Sequence, residues 1–126
     1  MKIIDNILNK DITKLTYKER QLIVDYFRKL VNDEFDCFKN IFLQKSKEEI
    51  FERAYLIDTY DNIRMRLCGL GFFTILSLLK YQKNDFIDYM YNADVNDSVF
   101  DYYDSIEEEI VKEVSKLKLE NETKVA

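Results

Sequence analysis

Leu67-Cys68-Gly69-Leu70-Gly71-Phe72-Phe73-Thr74-Ile75-Leu76-Ser77-Leu78-Leu79 runs for thirteen positions without a charged residue, in a chain that is 34% charged. At helical rise such a run spans roughly 20 Å, short of the ~30 Å hydrocarbon core of a bilayer, and no second apolar run extends it. The reading is therefore a buried central helix, with the rest of the chain as amphipathic cover. Gly69 and Gly71, the only glycines, stand at its entrance, where a missing side chain either admits a neighbouring helix or marks a kink.

At 126 residues the chain has the length of one domain, large enough to bury about two thirds of its unfolded surface around a single core. With no proline and two glycines there is little turn chemistry, while Leu, Ile, Lys, Glu and Asp recur at helical spacing. The expected fold is all-α: a compact bundle of five or six helices over residues 1–126, with the tail 119–126 disordered. Cys37 and Cys68 stand apart from any paired motif, and no N-terminal run of positive, apolar and small residues is seen. Both thiols read as small core residues, and the expected location is the reducing cytoplasm. The absence of histidine removes the commonest general base and metal ligand together.

Outward from the centre, the helices have legible starts. Ile3, Ile4, Ile7 and Leu8 form one stripe of a short helix that should pack as a lid. Thr16-Tyr17-Lys18-Glu19 has the form of a capping box, in which hydroxyl and carboxylate each satisfy a free N–H of the starting helix. The helix that follows should turn Ile23, Phe27, Leu30, Val31, Phe35, Phe38, Ile41 and Phe42 inward. A second box, Ser46-Lys47-Glu48-Glu49, should reverse the chain into an antiparallel helix carrying Ile50, Phe51, Ala54, Tyr55 and Ile57 inward. Around Asp58–Asp61 that helix either continues or restarts with Thr59 as cap, a short break being favoured, and from Asp61 it should run through the apolar centre to end in Lys80-Tyr81-Gln82-Lys83. Asn84 should then cap a piece from Asp85 to Tyr91. A last helix, from near Asp97 to Lys118, should bury Val99, Tyr103, Ile106, Ile110, Val114 and Leu117.

The charge is regional. Residues 81–109 hold nine acids against Lys83 alone, leaving 15 acids and 18 bases elsewhere, so the net −5 comes from this segment. Within it Asp97, Asp101, Asp104 and Glu108 fall on one helical stripe, where each like-charge neighbour costs a few tenths of a kcal/mol. Two explanations stand side by side. Acids gather near helix N-termini for dipole reasons, and a stripe that costs stability is also a contact surface. The interaction reading places the partner-binding residues at Asp94, Asp97, Asp101, Tyr102, Asp104 and Glu108, facing a protein with a basic surface. Direct nucleic-acid binding would need a basic face, and Arg64 with Arg66, two residues apart, do not share one. No membrane partner and no cofactor are expected; homo-oligomerisation through the tyrosine-rich face is a further reading.

Glu48-Glu49-x-x-Glu52, with Asp58 and Asp61 beyond it, resembles the magnesium motifs of all-α nucleotide pyrophosphohydrolases, whose carboxylates share Mg²⁺ bridging a triphosphate. In that family the second motif lies on a different helix after a longer interval, whereas five residues separate the two here. Solvated acids in a first helical turn explain Glu48 and Glu49 equally well, so no catalytic or metal-binding residue is assigned. The stretch Glu48-Glu49-Ile50-Phe51-Glu52-Arg53-Ala54-Tyr55, followed by Asp61-Asn62-Ile63, is also similar to a pattern in small helical proteins of mobile elements in low-GC Gram-positive bacteria. That resemblance implies a small acidic non-enzymatic protein, analogous to anti-CRISPR inhibitors that occupy a basic nucleic-acid channel.

Overall fold

The computed structural model of the chain describes residues 2–92 and 111–121. These are helical, with no strand among the described residues: α1 (Lys2–Leu8), α2 (Tyr17–Leu43), α3 (Lys47–Glu52), α4 (Tyr55–Cys68), α5 (Phe72–Ser77), α6 (Phe86–Asn92) and α7 (111–121). The all-α expectation is met.

The 27-residue α2 is the spine. Its start is the predicted capping box: the Glu19 N–H donates to the Thr16 hydroxyl, and the Thr16 N–H donates to the Glu19 carboxylate, both at 3.1 Å. Lys10 reaches the same carboxylate at 2.6 Å, tying the end of α1 to the start of α2. Ile23, Phe27, Val31 and Phe42 are buried, and Leu30, Phe35 and Phe38 are half-buried. Ile41, expected inside, is 59% exposed. In α1, Ile4 and Ile7 are buried whereas Ile3 faces out.

Helix α4 runs antiparallel to α2, as three contacts in reversed order record. Phe38 stacks on Tyr60 with centroids 4.0 Å apart, Arg64 donates to Asn32 at 3.0 Å, and Arg28 donates to the Cys68 carbonyl at 3.0 Å. Three expectations fail along this return. The break lies at Arg53 and Ala54 rather than near Thr59, because the Thr59 hydroxyl is buried and donates back to the Tyr55 carbonyl at 2.9 Å instead of capping a new helix. Phe51 on the short α3 is 87% exposed, and Ala54 and Tyr55, at the break and the first position of α4, are exposed as well. Ser46 still caps α3, accepting from the Glu49 N–H at 3.2 Å.

The apolar centre is not one straight helix. The chain bends by 111° between Tyr55–Cys68 and Phe72–Gln82, with Gly69 and Gly71 at the corner. Both glycines have negative φ, and a Cβ would meet nothing closer than 3.7 Å at Gly69 and nothing within 4 Å at Gly71. Their role at the corner is therefore weak helix propensity rather than steric room. Leu67, Leu70, Ile75, Leu76, Leu78 and Leu79 are buried on its two sides, joining Phe27, Ile63, Phe86, Ile87, Met90 and Val114 in one core cluster. No single described helix is long and apolar enough to cross a membrane.

After α5 the helix widens to a π turn, Leu78–Gln82, closed by the Lys83 N–H donating to the Leu78 carbonyl at 2.9 Å. Lys83 then takes φ 73°, ψ −42°, and the Asn84 N–H donates to the Gln82 carbonyl at 2.9 Å. That is a γ-turn with positive φ, a strained geometry. Asp85 also has positive φ, 51°, and the chain drops from there into α6. In α7, Val114 is buried and Leu117 half-buried, as expected; the helix extends to residue 121, past Lys118.

Candidate functional site: an acid-rimmed apolar groove

The abrupt entry into α6 needs a partner for its first amides, and Asn84 is not that partner. Glu34, on α2, reaches across the fold: one carboxylate oxygen accepts the Ile87 N–H and the other the Asp88 N–H, both at 2.9 Å. An anion at a helix N-terminus meets both the free N–H groups and the positive end of the dipole. The cap is 53 residues away in sequence, so no local motif announces it. Burial pushes the Glu34 carboxyl above its usual range; the two N–H bonds pull the other way, and the charges of Asp85 and Asp88 push up again.

This crossing makes one end wall of a groove of 440 Å³ between α2 and the α6 entrance. Its floor is apolar and aromatic, with Leu30, Phe38, Tyr60 and Phe86, and Cys37 and Ile41 lie along the outer edge. Asp33, Glu34, Asp85 and Asp88 supply the rim, and no Lys or Arg is among the described lining residues. The Tyr60 hydroxyl donates to Asp88 at 3.3 Å. Burial first, and the Asp88 charge second, hold that phenol far above the ordinary tyrosine range, so it stays a neutral donor. Lys29 approaches Asp33 from one helical turn back, at 3.6 Å with both groups exposed, a pairing worth little in water.

A second cleft, of 480 Å³, adjoins the first through Asp85 and Asp88 and adds Gln82, Tyr89, Asn92 and Glu113. It too has no cation among its described lining residues, and the Tyr89 hydroxyl donates to Glu113 at 2.8 Å, which with burial raises that phenol as well. The larger cleft of 840 Å³ beside α1 differs in kind. It mixes Lys10, Lys80 and Lys83 with Asp5, and Lys10 is already held by Glu19.

The sequence-derived binding residues Asp94, Asp97, Asp101, Tyr102, Asp104 and Glu108 all lie outside the described residues. What the fold brings together is a different set of acids, two from α2 and two from the α6 entrance. Asp33 and Glu34 sit in an ordinary amphipathic helix where nothing local marks them. Asp85 and Asp88 belong to the acidic segment already noted. The carboxylates Glu48, Glu49, Glu52, Asp58 and Asp61 do not converge: the first three lie on α3, Asp61 is paired with Arg64 at 2.7 Å, and among the described residues no three potential ligands gather in metal-binding geometry. Arg64 further lies over the Phe35 ring, 5.4 Å from its centroid, so its charge is spent inside the fold. Comparison of the chain with known protein families, curated proteins and solved structures finds no match.

Proposed function

We propose that the protein is a small non-enzymatic protein-binding module, an inhibitor or adaptor that meets a basic partner through an acidic, tyrosine-rich surface. The observation that carries this reading is the groove between α2 and α6, where four carboxylates line an apolar aromatic floor and the one described cation near them, Lys29, makes only an exposed contact with Asp33. Removing acids from water beside one another is unfavourable, and a cationic partner converts that repulsion into attraction and steering. The adjoining cleft continues the same charge, and Asp97, Asp101, Asp104 and Glu108, from the same acidic segment of sequence, are proposed as further partner contacts. The module is a helical bundle centred on residues 67–79, with more helices among the described residues than the five or six expected, a reading supported by the buried leucines on both sides of the glycine corner.

The resemblance to mobile-element proteins suggests the partner's class: a cytoplasmic host-defence or other nucleic-acid-binding protein, whose own channel is basic, with no direct contact between this chain and nucleic acid. The test is selection of a random-peptide library on the full chain, eluting in steps of salt. Enriched sequences richer in Lys and Arg than the starting library, and released as salt rises, are expected. An enriched pool without that bias overturns the reading.

A further inference from the structure

We infer that the occupant of the α2–α6 groove is a basic amphipathic helix of another protein, lying along α2 for about three turns. This rests on the protein-binding reading above and adds the form and pattern of what binds.

The length comes from α2 itself. Leu30, Asp33, Cys37 and Ile41 line the groove at spacings of three and four from Leu30 to Ile41, roughly 16 Å of helix. That is the spacing at which one helix presents ridges to another. The form comes from the backbone. One wall is α2 and the other is the Asn84–Asp85 turn with the first turn of α6, and the described residues contain no sheet edge, so an extended peptide would find no ladder of amides to pair with. Laid over an apolar floor, its own N–H and C=O groups would lose water and gain nothing. A helix brings its hydrogen bonds with it.

The pattern comes from the lining. Phe38, flat against Tyr60, and buried Phe86 offer a floor for one or two Leu, Met or Phe anchors. The flanking carboxylates, Asp33 on one side and Asp85 and Asp88 on the other, suit Lys or Arg, whose alkyl stems cover apolar surface while their charges reach the rim. The chain's own residues 93–110 contain seven acids and no base, so their charge opposes their occupying this groove.

The experiment uses the full chain and three synthetic peptides of about 14 residues, close to four helical turns. One places Leu and Phe at i, i+4 and i+7 with Lys elsewhere; the second scrambles that composition; the third keeps the order but carries a central Pro that breaks the helix. Fluorescence anisotropy measures affinity, amide NMR shifts locate binding, and circular dichroism establishes that each variant is folded. The amphipathic peptide is expected to bind about tenfold or more tighter than the other two. It should shift Leu30, Ile41 and Asn84, and lose most of its affinity to Asp33→Asn with Asp85→Asn, a pair that leaves the positive φ of residue 85 tolerable. Equal binding by all three peptides overturns the helical occupant and leaves the basic-partner reading standing. No binding by any of them overturns both. A stable dimer that excludes the amphipathic peptide overturns the inference in favour of a second copy of this chain.

Discussion

Replacing Glu34 separates the two forces that meet in its carboxylate. Its oxygens cap α6 through two N–H bonds of 2.9 Å, and α6 carries Phe86, Ile87 and Met90 into full burial. Loss of a helix N-cap costs about 0.5–2 kcal/mol. Against this, the ionised group is half-buried and faces Asp85 and Asp88, so removing it relieves desolvation and repulsion. For Glu34→Ala the loss of both bonds should win, at about 1 kcal/mol, or roughly 4 °C in Tm for a chain of this size. Glu34→Gln keeps an acceptor without the charge, and should equal or exceed wild type at pH 8. The pH dependence follows from the raised carboxyl. Between its ordinary value of 4.5 and its higher folded value, the native state binds more protons than the unfolded state. Ionisation of Glu34 therefore withdraws stability as pH rises through that window, while below 4.5 its protonated form contributes in full. Urea unfolding of the three proteins at about pH 4.5 and 8 should find Gln gaining on wild type as pH rises. An alanine variant as stable as wild type at both values, or a glutamine variant that falls behind as pH rises, refutes the assignment.

Three further substitutions probe the frame around it. Leu76→Asp should abolish the cooperative thermal transition, because an unpaired carboxylate in a site 4% exposed costs several kcal/mol against a typical stability of about 5–15. Phe51→Ser should leave the unfolding free energy from urea titration within about 0.5 kcal/mol of wild type, since α3 presents that ring to solvent. Lys83→Gly should raise that free energy by about 0.5–1 kcal/mol, the strain of a non-glycine residue at φ 73° outweighing the added chain entropy; a loss of that size would mean the γ-turn is not strained.

What the sequence revealed divides by distance along the chain. The Thr16 capping box and the α2 stripe were legible because each depends on residues within a few positions of one another. Thr59 misled for the same reason: a hydroxyl before an acid resembles a cap, yet mid-helix it bonds back one turn. Gly69 and Gly71 were legible as either a close helix approach or a kink, and the structure makes them a corner of 111°. Glu34 was illegible because its amides lie 53 and 54 residues downstream. The groove was half legible. Asp85 and Asp88 stood in the acidic segment, whereas Asp33 and Glu34 join them only once α2 and α6 have packed together.

The groove carries its own reporter. Cys37 lines it and is exposed, while burial raises the Cys68 thiol and makes it a slow internal reference. The central claim is tested most directly by the maleimide labelling rate of the two cysteines, resolved by peptide mass, with and without saturating amphipathic basic peptide. Cys37 labelling should slow in proportion to peptide occupancy while Cys68 is unchanged, and raising salt from about 50 to 300 mM should restore the Cys37 rate as the peptide leaves. A bound peptide that leaves Cys37 as reactive as before would contradict the claim.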